Sequence, residues 1–320
     1  MPVHPQCQAV LDASAKAPTA FDTDDPVEAR RRYDAGTSVF ATPSPPLAEV
    51  VSGSLPGPAG TVPYRLYRPN AGDGAPLPIV AFFHGGGWMF GGLDSHDHVC
   101  REFAHQAGAL VVSVDYRLAP EHKFPAAFDD CVAATRWLRD NAPGLGADPA
   151  RLAVAGDSAG GNLAAAVCLA LRDAGEAQPI FQYLIYPAVD LACESDSHRR
   201  LAEGYLLTKD GIDHCVDSYL NTPGETEDPR ASPLKADNLT GLAPALVQTA
   251  GFDPLCDEGT AFADRLSADG VAATHTRYDG MIHGFVRMGA VVDAATEAIA
   301  EGAGALRTAF QAAPEPVSGS

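Results

Sequence analysis

The chain lacks the features that mark several functional classes. None of its apolar runs approaches the roughly 20 residues that a bilayer-spanning helix needs, so membrane insertion is not expected. The N-terminus carries Asp12 and no basic-then-apolar pattern, which excludes a typical secretory leader and points to the cytoplasm. Positive charge is scarce: 22 Lys and Arg face 41 Asp and Glu, and only four of the 22 are lysines, Lys16, Lys123, Lys209 and Lys235. A net charge of -19 would repel nucleic acid and anionic lipid alike, so neither is expected as a partner. The seven cysteines are widely spaced, odd in number and contain no C-x-x-C pair. That argues against a zinc site and a disulfide framework. Neither G-K-[ST] nor G-x-G-x-x-G is present, so the glycine run discussed below is not a phosphate cradle.

What is present is a rhythm of short apolar runs and helical stretches. Strands are expected at Thr61–Tyr67, Ile79–Phe83, Ala109–Asp115, Leu152–Ala155, Ile180–Ile185, Ala245–Ala250 and Ala273–Tyr278. Most of these runs do not alternate, as suits parallel strands buried on both faces. Helices fall between them, as at Pro125–Leu138 and Gly160–Leu171, giving the βαβ order of an α/β fold. Two segments break the rhythm. Residues 1–45 read as a separate helical piece, with Asp25 as N-cap and Pro26 at the first position of one helix, and Pro43, Pro45 and Pro46 closing it. Residues 190–225 place Leu206, Ile212, Val216 and Tyr219 at helical spacing. The expected division is therefore a cap from 1–45 and 190–225 over a catalytic domain formed by 46–189 and 226–320.

Chemistry concentrates in two glycine-rich segments. Gly156-Asp157-Ser158-Ala159-Gly160 fits G-x-S-x-G, the turn that lifts a serine from a strand onto a helix. His84-Gly85-Gly86-Gly87-Trp88 follows a buried strand and can aim backbone N–H groups at an oxyanion. Gly85, Gly86 and Ala159 are the expected donors. A serine needs a base, and the base needs an acid to orient it; in this fold they follow in the order Ser, Asp, His. Asp253, just past the strand Ala245–Ala250, and His283, in the loop after the last strand, occupy those places. Asp257 is the rival acid, read as a cap of the next helix. His96, His98 and His105 read as solvent-facing or packing residues of a helix. Phe40, Trp88, Phe90, Tyr186 and Leu206 are candidates for the substrate pocket.

With these residues in hand, the chain closely resembles the hormone-sensitive-lipase-like family of bacterial esterases. Beside the two glycine motifs, the matching segments are Asp115-Tyr116-Arg117-Leu118-Ala119-Pro120-Glu121, Asp228-Pro229-Arg230-Ala231-Ser232-Pro233-Leu234, Asp253-Pro254-Leu255 and Ile282-His283-Gly284-Phe285. The resemblance implies an α/β-hydrolase fold with a mainly parallel eight-stranded sheet and a helical cap, and a Ser158–His283–Asp253 triad. It further implies hydrolysis of short- to medium-chain esters without metal or organic cofactor, the partner being a small-molecule ester. Amide or acetyl-group hydrolysis is the nearest alternative. A non-catalytic receptor on the same fold is opposed by the presence of His283. The resemblance also suggests a homodimer through the last sheet edge. Cys256 departs from the basic residue that many relatives carry after Asp-Pro-Leu.

Overall fold

The computed structural model describes residues 2–23, 25–70 and 74–313. The remaining positions of the expected domain ranges (1, 24, 71–73 and 314–320) lie outside the described residues. Two helices come first, α1 (Pro5–Ser14) and α2 (Pro26–Ser38). A hairpin of β1 (Glu49–Gly57) and β2 (Gly60–Arg68) follows, then β3 (Leu77–Phe83), α3 (Asp97–Ala107), β4 (Leu110–Val114) and α4 (Ala126–Asn141). Next are β5 (Ala147–Asp157), α5 (Ala159–Asp173) and β6 (Gln182–Ile185), then α6 (Asp196–Arg200) and α7 (Lys209–Tyr219). The chain closes with β7 (Ala245–Phe252), α8 (Cys256–Ala268), β8 (Ala273–Ile282) and α9 (Asp293–Ala312).

The eight strands form one sheet in the order β1-β2-β4-β3-β5-β6-β7-β8. Only β2 runs against the others, which makes the sheet mixed, though parallel over β4 to β8. The unbroken apolar run of β3 serves both faces. Ile79, Ala81 and Phe83 join a core with α4, α5 and α8, while Val80 and Phe82 join a second core with α3 and α9. This is why the buried strands show no alternation.

β1 lies outside the sequence expectation. It holds Gly53, Pro56 and Gly57 and only three large apolar residues. As an edge strand it needs to bury little, and Pro and Gly are tolerated there. Leu206 was expected on the inserted helix; that helix begins at Lys209, and Leu206 precedes it in left-handed backbone, φ 74°. α1 is fastened to the sheet at β8, where His4 N–H donates to Gly280 O (2.9 Å) and Cys7 Sγ meets Met281 Sδ (3.6 Å). All seven cysteines are buried and unpaired. Among the described residues no helix is long and apolar enough to cross a membrane.

One buried ion pair ties the fold to the glycine loop. Asp130 of α4 receives Arg117 N–H (3.0 Å), Nε (2.8 Å) and Nη2 (2.8 Å), fixing the segment after β4. Within that segment Ala119 N–H donates to Trp88 O (2.9 Å), and Arg30 of α2 reaches both Met89 O and Ala119 O (2.9 Å each). Removing one partner of a buried pair costs about 3–5 kcal/mol, and Arg117 keeps some contact with water. Asp130→Ala is therefore expected to lower stability by about 2–3 kcal/mol, measured by urea unfolding; an unchanged midpoint would show the pair to be dispensable.

Candidate active site

Strand register brings the chemical groups into one row. Phe252 of β7 pairs with Ile282 of β8, so the next residue on each strand, Asp253 and His283, emerge side by side. On the other flank Phe83 of β3 pairs with Gly156 of β5, which sets the start of the glycine loop level with Ser158. All these groups leave the carboxyl ends of parallel strands, the usual place for a site in such a sheet.

Ser158 occupies the turn between β5 and α5 with φ 56° and ψ −120°, a backbone conformation that side chains rarely tolerate. It is locked by Ser158 N–H donating to Ile185 O (2.8 Å) and Ser158 O accepting from Asn162 N–H (3.0 Å). A Cβ on Gly160 would sit 1.9 Å from Phe83 O, so only glycine lets the turn close against β3. Ser158 Oγ lies 2.9 Å from His283 Nε2, and His283 Nδ1 lies 2.7 Å from Asp253 Oδ2. The other carboxylate oxygen of Asp253 accepts from Leu255 N–H (2.9 Å), and the residue is fully buried. The rival Asp257 sits in the first turn of α8 and accepts from Ser197 N–H (2.8 Å), away from His283.

The glycine loop departs from expectation at one donor. Gly85 N–H is occupied, donating to Asp157 Oδ1 at 2.8 Å. Among the described residues, the N–H groups of Gly86 and Gly87, and that of Ala159 at the start of α5, have no protein acceptor. Gly86 has φ 125°, and a Cβ there would meet Phe90 O at 2.2 Å. Two contacts from α7 press on the loop. The Trp88 ring stacks on Tyr219 of α7 (4.6 Å, 4° between planes), and a Cβ on Gly87 would meet Cys215 Sγ at 2.4 Å.

Beneath the loop lies a buried polar cluster. Burial works against the charge of Asp157, but His96, Arg287 and the Gly85 N–H outweigh it and hold the carboxyl below the usual carboxylate range. Burial likewise pushes His84 down to about 3, leaving a neutral ring that stacks on Tyr116 (4.3 Å). His96 and His98, expected as solvent-facing or packing side chains, are both buried, and only His105 faces water. Sequence periodicity could not single them out, because their partners come from β5 and from the loop after β8.

A cavity of about 360 Å³ opens on Ser158 and His283. Phe40, Trp88, Phe90 and Leu206 line it, together with Phe21 and Val216. Tyr186 does not line it. Its ring packs against His283 (4.7 Å) from the buried side, with φ 35°, so it supports the imidazole. Among the described residues no group of three or more His, Cys, Asp or Glu side chains is placed to hold a metal ion.

Comparison with known proteins places this geometry among related molecules. A family described as the alpha/beta hydrolase fold matches residues 80–287. The chain is 46% identical over 255 residues to the carboxylic ester hydrolase LipN of Mycobacterium tuberculosis, covering 78% of this chain and 67% of that one. It is 40% identical over 307 residues to esterase LipI of the same organism, covering 95% and 94%. A solved structure of a mutant of LAE6, an alpha/beta hydrolase enzyme from the metagenome of Lake Arreo, superposes with a TM-score of 0.93 at 43% identity, over 97% of this chain and 99% of that one.

Gly86→Ala tests the loop geometry. The methyl group would force Phe90 O aside and turn the free amides away from Ser158. Turnover of p-nitrophenyl acetate is expected to fall by about 10²-fold or more in a protein whose circular dichroism is unchanged. Wild-type turnover would show that the loop tolerates the methyl group and that its geometry is not critical.

Proposed function

The chain belongs to the hormone-sensitive-lipase-like esterases of the α/β-hydrolase superfamily and is a carboxylic ester hydrolase, and we propose that Ser158, His283 and Asp253 carry out its two-step acyl transfer. The observation that carries this reading is the unbroken chain Ser158 Oγ–His283 Nε2–His283 Nδ1–Asp253 Oδ2, at 2.9 and 2.7 Å. His283 Nε2 takes the serine proton as Oγ attacks the ester carbonyl, and the Asp253 carboxylate keeps the other ring proton on Nδ1. The carbonyl oxygen gains negative charge, which the amides of Gly86, Gly87 and Ala159 receive. Ala159 also stands at the N-terminus of α5, where the helix dipole favours an anion. His283 then protonates the departing alcohol. Water, deprotonated by the same nitrogen, attacks the acyl-enzyme and releases the acid.

The substrates proposed are short- to medium-chain esters. A predominantly apolar cavity of about 360 Å³ supports this, being large enough for a small acyl group and its alcohol. We assign α2, α6 and α7 to a cap over the sheet, keeping the division at 1–45 and 190–225 except for α1, which is fastened to β8; α2, α7 and the residues before α7 supply much of the cavity wall. The half-exposed outer edge of β8 supports a homodimer formed through that edge.

Hydrolysis of p-nitrophenyl esters from acetate to long chains, by wild type and Ser158→Ala, tests the reading. Turnover is expected to be confined to the shorter chains and absent from the variant; undiminished turnover in Ser158→Ala would remove Ser158 as nucleophile. Asp253→Asn is expected to lower kcat by about 10⁴-fold with little change in KM. A loss confined to KM would place Asp253 in substrate binding.

A further inference from the structure

His96 sits at the head of α3, but its side chain makes no capping bond to the helix, so the burial of its ring has another cause. Its ring is held between Phe82 (6.1 Å) and His84 (5.6 Å). Nδ1 lies 2.9 Å from Ser95 Oγ, and Ser95 Oγ in turn accepts from Gly92 N–H (2.9 Å) and contacts Gly92 O (3.1 Å). Nε2 lies 3.1 Å from Asp157 Oδ1, the oxygen that also receives Gly85 N–H at 2.8 Å. A carboxylate oxygen can only accept, so Nε2 carries the proton whichever way the Ser95 hydroxyl turns. The Nε2 approach is off the ideal hydrogen-bond direction, which makes it a close charge–dipole contact, while the Gly85 bond is the directional one.

These contacts close a ring. The glycine loop leaves β3 at Phe83, with Gly85 tied to Asp157, and its exit at Gly92 is tied through Ser95 and His96 to the same carboxylate. Asp157 precedes Ser158 in the chain. Both ends of the loop are thus referenced to the residue beside the nucleophile.

We propose that His96 is a positioning residue for acyl transfer: by holding Asp157 it fixes the loop so that the Gly86 and Gly87 amides face the carbonyl oxygen bound at Ser158. The inference rests on the acyl-transfer reading above. His96 touches neither substrate nor reacting atoms. It acts on the state in which the oxygen carries charge, so its loss appears in kcat and spares the KM for an uncharged ester.

The test compares His96→Phe, which keeps an aromatic ring and removes both nitrogens, with His96→Gln, whose amide can still donate to Asp157. Active sites are counted by titration with a p-nitrophenyl phosphonate, so that misfolded protein does not enter kcat. His96→Phe is expected to lower kcat by about 10- to 100-fold, with KM for p-nitrophenyl acetate within about threefold of wild type. Its affinity for a trifluoromethyl ketone, which forms a tetrahedral oxyanion on the serine, should fall by the same factor as kcat/KM. His96→Gln should recover most of the rate. Combined with Asp157→Asn, His96→Phe should add little further loss, because the two act through one contact.

Wild-type kcat in His96→Phe, a loss carried by KM, or additive losses in the double variant would each overturn the proposal. If His96→Phe does not fold, Ser95→Ala, which removes the Nδ1 partner, should show a smaller loss in kcat at constant KM; unchanged kcat there overturns the proposal too. Ser158→Ala separates the two levels. Undiminished turnover in it defeats the acyl-transfer reading itself, whereas an inactive Ser158→Ala beside a fully active His96→Phe defeats only the role of His96.

Discussion

Parallel strand register is the constraint on which the site depends. Ser158, Asp253, His283 and the glycine loop lie far apart in sequence and meet only because Phe83 pairs with Gly156 and Phe252 with Ile282. A one-residue slip in a strand reverses which face each side chain takes, so a slip of β8 would turn His283 away from Asp253. The two apolar cores resist such slips, since alternate residues of the same strand are committed to opposite faces of the sheet. Helices packed on both faces therefore serve geometry at the strand ends, several residues from the reacting atoms.

A second constraint is electrostatic. Asp157 carries a negative charge beside the place where the proposed mechanism puts another. Left alone, a buried carboxylate there would oppose the oxyanion. Arg287 lies 3.9 Å from Asp157 Oδ2; burial works against its charge, but the Asp157 carboxylate helps to keep it cationic. With His96 on the other oxygen, the carboxylate spends its field on buried donors and acts on the loop as an anchor. The Gly85 amide belongs to this anchor, which leaves the next two amides for chemistry.

Much of this was legible in the residues themselves. The G-x-S-x-G turn, the acid just past one strand and the histidine after the last are fixed by local chain order, and local order is what a sequence displays. The buried strands announced themselves as apolar runs. β1 did not, because an edge strand with Pro56 and two glycines carries little apolar signal. The choice between Gly85 and Gly87 as donor was not local: three adjacent glycines look alike until Asp157 claims one. Tyr186 looked like a pocket residue because it is aromatic and near a strand end, but its positive φ turns the ring under His283. His96 carried no signal, since its meaning lies in a contact between α3 and β5.

The contact of α7 with the glycine loop has a consequence for how such an enzyme can change. Tyr219 stacks on Trp88, and Cys215 fills the space that a side chain on Gly87 would need, while Cys215 and Val216 of the same helix line the cavity. The cavity wall proposed to select substrates is thus mechanically continuous with the loop proposed to stabilise charge. A mutation in α7 that enlarges the cavity also loosens the loop, so broadening the substrate range and preserving the rate are coupled demands. Adaptation to new esters is least constrained around Phe40, which lines the cavity from the segment after α2 and whose carbonyl accepts from Ala290 N–H (3.0 Å), away from the glycine loop.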